Sequence, residues 1–143
     1  MDRPITDVIE HQTLITLGPE TSVHHAAAVM EEAGIGAVPV VENGKLTGIF
    51  SERDIMNRVV AKGLNPDATR IGDVMTWTPI TVGSHVSMTG ALHMMHESGV
   101  RHLPVVDGER LVGILSARDA DPRELADFGE TLPYKESVLE SLR

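Results

Sequence analysis

Two short segments with the pattern Ser-x-Arg-Asp carry the side chains best suited to chemistry. They are Ser51, Arg53 and Asp54 and, 65 positions later, Ser116, Arg118 and Asp119. Each serine stands where a predicted strand meets a predicted helix, and the amides and dipole of such a junction attract a phosphate. The serine hydroxyl and the arginine can bond phosphate oxygens. An aspartate repels phosphate, so its expected partners are ribose hydroxyls.

The same Ser-x-x-Asp spacing is close to that of a helix capping box. In that arrangement the serine oxygen accepts an amide of the first turn, and the acidic side chain bonds back to the amide of the serine. The residue types are compatible with both readings. The sequence therefore leaves two functions open: a nucleotide-binding module, or a protein-interaction and dimerisation subunit in which these segments are only helix caps.

The two segments belong to a longer internal repeat. Residues 16–54 align with residues 81–119 without a gap, and a shorter match relates the lead-in at 5–9 to the lead-in at 71–75. A copy of about 60 residues is marginal for an independent core. We therefore expect the two copies to pack as a pseudo-two-fold pair, because a duplicated unit buries one face against the other.

Hydrophobic periodicity predicts the order β-α-β-β-α in each copy, and hence an α/β (α+β) fold. In the first copy we predict a strand at 13–17, a helix from Ser22 to about Ala33, a strand at 37–41, a turn at Asn43 and Gly44, a strand at 46–50, and a second helix with Ile55, Met56, Val59 and Val60 inward. In the second copy we predict a strand near 80–82, a helix from Ser87 to about Ser98, strands at 103–106 and 111–115 with a turn at Asp107 and Gly108, and a helix kinked or restarted at Pro122.

The predicted divisions are a first repeat with its lead-in at 1–66, a second repeat at 67–122, and an acidic tail at 123–143. In the tail, Tyr134 and an apolar group at 138–142 are a candidate docking helix. The net charge of -9 argues against a nucleic-acid partner. The chain has no apolar run of membrane-spanning length and no signal peptide, so we expect a cytoplasmic protein.

We expect no enzymatic activity and no metal site. The chain has no cysteine, which excludes disulfides, thiolate ligands and a cysteine nucleophile. It also lacks a nucleophile elbow, a Walker loop and a dinucleotide fingerprint. His93 and His96, like His24 and His25, share a predicted helix, but zinc needs three or four converging ligands. We expect these histidines at the surface or at a dimer interface.

The Gly-Ile-x-Ser-x-x-Asp segments, the apolar strands that contain Pro39 and Pro104, and the lead-in at 73–76 together resemble the CBS-domain pair, or Bateman module, of the stand-alone bacterial type. The resemblance covers roughly residues 5–120. It implies a homodimeric, disc-like regulatory sensor that binds an adenine nucleotide between its copies. The expected ligands are AMP, ADP or ATP, with NAD(H) or S-adenosylmethionine as further candidates. Binding is expected to change the geometry between the repeats and so to signal to an effector protein.

The resemblance also implies roles for further residues. It assigns the aspartates to ribose and the serines to phosphate. Arg101 and His102 precede an apolar strand, at the place where this family often carries phosphate-contacting basic groups, so the Asp119 site is expected to bind phosphate better than the Asp54 site. Residues of the other copy are expected to hold the base, with plain core packing as the alternative for each: Thr6 and Ile35 for the Asp119 site, Ile71 and Val100 for the Asp54 site.

Overall fold

The computed structural model describes residues 3–130, which form two compact units with separate cores. The Asp54 unit is Leu14–Pro79, and the Asp119 unit combines residues 3–13 with residues 80–130. In chain order the elements are α1 (Ile5–Ile9), α2 (Val23–Ala33), β1 (Ala37–Glu42), β2 (Lys45–Ser51), α3 (Glu52–Asp54) with a π-helical continuation (Ile55–Val60), α4 (Ile71–Val74), β3 (Thr76–Trp77), β4 (Val82–Gly83), α5 (Met88–Ser98), β5 (His102–Asp107), β6 (Arg110–Ser116), a 3-10 turn (Ala117–Asp119) and α6 (Pro122–Glu130). The docking group predicted around Tyr134 lies outside the described residues.

The long helix of each unit begins and ends as predicted. The Ser22 hydroxyl caps α2 by accepting the amide of His25 at 3.1 Å, and Ser87 caps α5 in the same way. Gly34 and Gly99 end these helices in the left-handed conformation, each with φ of 68°. A glycine adopts this conformation without steric penalty, which is why the helices stop there.

The hairpins are confirmed, although one turn is shifted by a residue. Asn43 and Gly44, with φ of 52° and 76°, connect β1 to β2 in the manner expected of an Asn-Gly turn. In the second hairpin Asp107 pairs with Arg110. The turn residues are therefore Gly108 and Glu109, and the predicted turn at Asp107 and Gly108 is wrong by one position.

The strand predicted at 13–17 is wrong, because only Leu17 makes a parallel bridge, to Val40. The Leu17 amide donates to the carbonyl of Pro39 at 3.2 Å, and the Leu17 carbonyl accepts the amide of Val41 at 2.9 Å. The next bond of a parallel ladder would need an N–H at Pro39, and proline has none. Pro104 sets the same limit in the Asp119 unit, where β4 begins only at Val82.

The second helix of the first copy also departs from the prediction. Val59 is fully buried, but Met56 and Val60 are 60% and 69% exposed, so the prediction that these two face inward is wrong. From Ile55 the backbone is π-helical, as shown by the bond from the Ala61 amide to the Met56 carbonyl at 2.9 Å. The wider turn of a π-helix moves residues off the face that α-helical spacing predicts.

The last described helix covers the side of α5 that carries two histidines. α6 restarts the chain at Pro122, as predicted. Phe128 of α6 is fully buried, with its ring centroid 4.8 Å from that of His93 and 6.0 Å from that of His96. These histidines are half-buried and pack against an aromatic ring of their own unit, so their predicted place at the surface or at a dimer interface stays a prediction.

Each lead-in packs on the copy other than the one that follows it in the chain. In the Asp119 unit the Ile5 amide donates to the Val86 carbonyl at 3.0 Å. In the Asp54 unit the Ile71 amide donates to the Thr21 carbonyl at 2.8 Å. The predicted boundaries after residues 66 and 122 describe the sequence repeats and stay a prediction, whereas packing assigns the first lead-in to the second copy.

The lead-ins pack closely against two glycines, Gly48 of β2 and Gly113 of β6. A Cβ atom at Gly113 would lie 2.8 Å from Cδ1 of Ile9 and 3.0 Å from Oε1 of Gln12. A Cβ atom at Gly48 would lie 2.6 Å from Sδ of Met75. The Gln12 side chain completes the contact, because its amide bonds both the N–H and the carbonyl of Ile114 at 2.8 Å. The glycine of the Gly-Ile-x-Ser motif thus serves close packing.

We predict that Gly113→Ala destabilises the protein, because the new methyl group overlaps the lead-in. The expected loss in the free energy of unfolding is roughly 1–3 kcal/mol, as for other overpacked sites, measured by urea denaturation. Gly18→Ala is the matched control, since its Cβ would meet only the Val41 carbonyl oxygen, at 4.0 Å. Equal stability losses in the two variants would contradict this account of the glycine.

Candidate functional site

In the Asp54 unit the repeated segment forms a complete capping box. The Ser51 amide donates to Oδ2 of Asp54 at 2.9 Å, and the Asp54 amide donates to the Ser51 hydroxyl at 3.3 Å. The Glu52 amide donates to the Gly36 carbonyl at 2.9 Å. These amides, to which the phosphate hypothesis gave a ligand role, are bonded within the protein. A phosphate here must therefore be held mainly by side chains.

Asp54 is buried and faces an arginine that the sequence analysis did not select. Only 8% of Asp54 is exposed, and Nε of Arg58 lies 3.6 Å from its Oδ1. The Arg58 guanidinium also donates to the carbonyls of Val74 at 3.0 Å and Met75 at 2.9 Å. Arg53, which was predicted to serve this site, is exposed. The spacing of four residues between Asp54 and Arg58 was the signal that could have identified the pair.

In the Asp119 unit the same motif closes a shorter and more open turn. The Ser116 amide donates to Oδ2 of Asp119 at 2.7 Å, and the Arg118 amide donates to the Ser116 hydroxyl at 3.2 Å. The helix that follows Ser116 is a single 3-10 turn, and the chain is extended again at Ala120. A helix dipole therefore gives this segment little support for an anion. Asp119 and Arg118 are exposed, in contrast to the buried Asp54.

The two basic residues predicted for phosphate lie beside this turn. His102 pairs with Ser116 across strands β5 and β6, and the Arg101 carbonyl accepts the Ala117 amide at 3.0 Å. Arg101 and His102 are both half-buried. The corresponding positions of the first copy, Gly36 and Ala37, offer no cation. The structure thus brings Arg101 and His102 next to the Ser116–Asp119 turn.

The four residues predicted to hold the base are divided between the units. Thr6 is exposed on α1 and belongs to the same unit as Asp119. Ile71 is fully buried in the Asp54 core, where its side chain performs the packing role named as the alternative. Ile35 packs on the Asp54 core and Val100 on the Asp119 core. Their predicted roles toward a ligand stay predictions.

Two charged residues of the Asp119 unit also lie outside the sequence-based prediction. Nη2 of Arg3 donates to the Asp119 carbonyl at 2.9 Å and to Oε1 of Glu124 at 2.7 Å. Glu124 is only 4% exposed, and its hydrogen bonds to Arg3 raise the pKa of the guanidinium. No local signal pointed to Arg3, because it is 116 positions away from Asp119 and the repeat places Thr69 at its equivalent position.

The described residues, 3–130, contain no group of three or more histidine, aspartate or glutamate side chains that could hold a metal ion. His24 pairs with Asp67 rather than with a second histidine. Over the same residues, none of the helices is both long enough and apolar enough to cross a membrane.

Comparison with known proteins identifies the repeat. The model of the CBS domain matches residues 4–61 and 71–120. The chain belongs to the CBS domain family. It is 32% identical over 112 residues to the CBS domain-containing protein YhcV of Bacillus subtilis, covering 78% of this chain and 79% of that protein. It is 36% identical over 115 residues to an inosine-5'-monophosphate dehydrogenase of Methanocaldococcus jannaschii, where the match covers 79% of this chain and only 22% of the enzyme.

Solved structures of CBS proteins show the same mixed α+β fold. A protein with CBS domains from Burkholderia ambifaria superposes with a TM-score of 0.78 at 32% identity, covering 82% of this chain and 90% of that one. The CBS domain pair of protein MJ0100, solved with 5'-methylthioadenosine and S-adenosyl-L-methionine, superposes with a TM-score of 0.74 at 26% identity, covering 83% of this chain and 93% of that one. The predicted α+β fold of two CBS repeats is therefore confirmed.

The environment of the Asp119 carboxylate shifts its titration. The residue is exposed, but its carboxylate turns toward the cap, and the partial loss of water there raises the pKa of Asp119. The amide of Ser116 and the guanidinium of Arg3 act in the opposite direction, because both favour the ionised form. Loss of water is the stronger effect, so the folded protein holds this proton more tightly than the unfolded chain does.

We therefore predict that Asp119 lowers stability as it ionises. The free energy of unfolding of wild type, relative to that of Asp119→Asn, should be highest at pH values below 3.8, the ordinary pKa of an aspartate. It should fall as the pH rises through the raised pKa. Urea denaturation from about pH 3 to about pH 6 measures it. Asp107→Asn, at the exposed end of β5 in the same unit, controls for loss of one carboxylate, and a difference that grows with pH would contradict the assignment.

Proposed function

We propose that this protein is a non-enzymatic regulatory module that binds an adenine nucleotide through the Asp119 unit. The observation that carries the proposal is the position of two basic residues, Arg101 and His102, beside a turn that exposes an aspartate. Membership of the CBS domain family supports the proposal. The adenosine-derived ligands of the MJ0100 pair, 5'-methylthioadenosine and S-adenosyl-L-methionine, support it as well. AMP, ADP and ATP are the first candidates, with NAD(H) and S-adenosylmethionine next.

The acceptor atoms of the two aspartates explain why we favour the Asp119 segment. In Asp119 one carboxylate oxygen, Oδ2, accepts the Ser116 amide, which leaves Oδ1 with acceptor capacity for a ribose hydroxyl. In Asp54 one oxygen is held by Ser51 and the other lies toward Arg58. A ligand at Asp54 must therefore displace internal partners of a buried carboxylate. We expect the Asp119 segment to bind more tightly.

The proposed mechanism is a shift in population. A ligand that binds one conformation of the chain more tightly than the others raises the population of that conformation, and an effector protein then recognises it. The proposal assigns the phosphate to Ser116, Arg101 and His102, and the ribose to Asp119. Arg118 supplies a further exposed cation.

We predict that a thermal-shift titration with AMP, ADP, ATP, NADH and S-adenosylmethionine identifies a stabilising ligand. A ligand at about 100 times its dissociation constant adds about 2.7 kcal/mol of apparent stability. Asp119→Ala should lose most of this shift and Asp54→Ala much less, each judged against its own ligand-free melting temperature. Asp107→Ala is the control for charge. If all five ligands leave the melting temperature of the wild type unmoved, the nucleotide proposal is wrong.

A second candidate, a protein-interaction and dimerisation subunit, has its own support. The capping bonds of both Ser-x-x-Asp segments are formed, so the segments have a role without any ligand. In addition, Met56, Val60 and Leu64 are 60%, 69% and 43% exposed. They follow one another at intervals of four residues in and just after the π-helix. An exposed apolar row of this kind is suited to a second copy of the chain.

We predict that Val60→Asp weakens self-association if this apolar row joins two copies. Sedimentation equilibrium should then show a dimer for the wild type and a monomer for the variant, because a buried unpaired carboxylate opposes an apolar contact. Asn57→Asp adds the same charge to an exposed position of the same helix and should leave the dimer intact. A wild-type monomer, or a dimer that both variants retain, would exclude this row as the interface.

A further inference from the structure

Arg3 connects three separate parts of the Asp119 unit. Its Nε donates to Oε2 of Glu124 at 3.2 Å, and its Nη2 donates to Oε1 of Glu124 at 2.7 Å. The same Nη2 also donates to the Asp119 carbonyl at 2.9 Å. The Arg3 side chain is 36% exposed, while that of Glu124 is 6% exposed. The bidentate pair therefore joins the start of the first lead-in to the beginning of α6.

Glu124 is also part of the cap that begins α6. The Asp121 amide donates to its Oε1 at 2.9 Å, and the Glu124 amide donates to Oδ1 of Asp121 at 2.8 Å. A buried carboxylate needs such donors, because it has lost its water. Arg3 and the cap share this one carboxylate, so the guanidinium and the start of α6 hold each other in place.

The geometry around Asp119 shows why this link matters for the candidate site. The turn that carries Asp119 is only three residues long, and the chain leaves it in an extended conformation. The Ser116 amide holds the carboxylate, whereas Arg3 holds the carbonyl. Because its carbonyl and its Oδ2 are both held, the orientation of the remaining acceptor of Asp119, Oδ1, is restricted.

The Asp54 unit makes an equivalent link with a different residue. There Arg58 lies against the Asp54 carboxylate and donates to the carbonyls of Val74 and Met75, at the end of the lead-in helix α4. The repeat places Thr69 at the position of Arg3, and Arg123 at the position of Arg58. In each unit an arginine joins the lead-in to the aspartate segment. In the Asp119 unit this arginine belongs to the lead-in, whereas in the Asp54 unit it belongs to the helix that follows the aspartate.

We propose that Arg3 is a positioning residue of the Asp119 segment, which it fixes to the lead-in and, through Glu124, to α6. Its importance for ligand binding rests on the proposed function, but its effect on Asp119 does not. The charged groups around it are the carboxylates of Asp119, Asp121 and Glu124. Because Arg3 contributes the positive charge that opposes the raised pKa of Asp119, removing it must alter that carboxylate even without ligand.

The first test is made on the ligand-free protein. Carbon-13 NMR titration of the Asp119 carboxyl should show a higher pKa in Arg3→Gln than in wild type, and hydrogen exchange should be faster across residues 117–130. Arg70→Gln is the matched control, because it removes an exposed arginine-glutamate pair, with Glu20, from the other unit. The double variant of Arg3→Gln with Glu124→Gln avoids leaving a buried charge unpaired, so it tests the same point if Arg3→Gln does not fold.

Arg3→Lys separates charge from geometry. Lysine keeps the positive charge but lacks the bidentate donor arrangement of arginine. We expect Arg3→Lys to bring the pKa of Asp119 most of the way back to the wild-type value. We expect it to recover little of the wild-type protection from hydrogen exchange across residues 117–130. An unchanged Asp119 titration and unchanged exchange in Arg3→Gln, or in the double variant if the single one does not fold, would overturn the proposal.

The second test uses AMP as the probe and isothermal titration calorimetry. The double variant should bind AMP more weakly than wild type by on the order of tenfold, within the range measured for coupled neighbouring residues. Arg70→Gln should bind as wild type does. If wild type binds AMP and the double variant binds it equally well, the positioning role in binding is wrong while the proposed function stands. If wild type does not bind AMP but the NMR difference is present, AMP is excluded as the ligand while the positioning role stands.

Discussion

The contact of each lead-in with the glycine of a hairpin strand is the constraint on which both units depend. At Gly113 the available space is so small that a methyl group would overlap Ile9 and Gln12. The same restriction appears at Gly48 against Met75. The missing side chain at each glycine lets the lead-in approach the strand closely, at Ile9 and Gln12 in one unit and at Met75 in the other. The end of that strand is where the serine and aspartate of the repeated motif are then placed.

The two aspartates end the same Ser-x-Arg-Asp motif but have different physical surroundings. Asp54 is followed by a continuous helix that carries Arg58, which turns the carboxylate into an internal ion-pair partner. Asp119 ends one short turn and is followed by an extended residue, so it stays exposed although its carboxylate loses part of its water to the cap. The difference arises from Pro122, which begins a new helix. Divergence after the motif therefore leaves Asp54 buried in one copy and Asp119 exposed in the other.

Much of the fold follows from local patterns, whereas the site depends on distant ones. The caps at Ser22 and Ser87, the glycines that end the helices and the Asn43-Gly44 turn are all predictable from neighbouring residues. The false strand before Gly18 came from neglecting the missing N–H of Pro39. The exposure of Met56 and Val60 came from a local change of helical period, which residue types do not reveal. Arg3 could not have been found, because its partners lie over a hundred positions away.

The exchange of lead-ins has a consequence for the order in which the chain can fold as it is synthesised. The Asp54 unit is contiguous, from Leu14 to Pro79, so all its parts exist before most of the second copy has been made. Residues 3–13 are made before that unit, yet Ile5 and Ile9 belong to the core around Leu92 and Leu115. Their core partners are made only after the whole Asp54 unit, and closing the long loop between the first lead-in and those partners carries an entropic cost. The order of synthesis therefore favours folding of the Asp54 unit before the first lead-in joins its core.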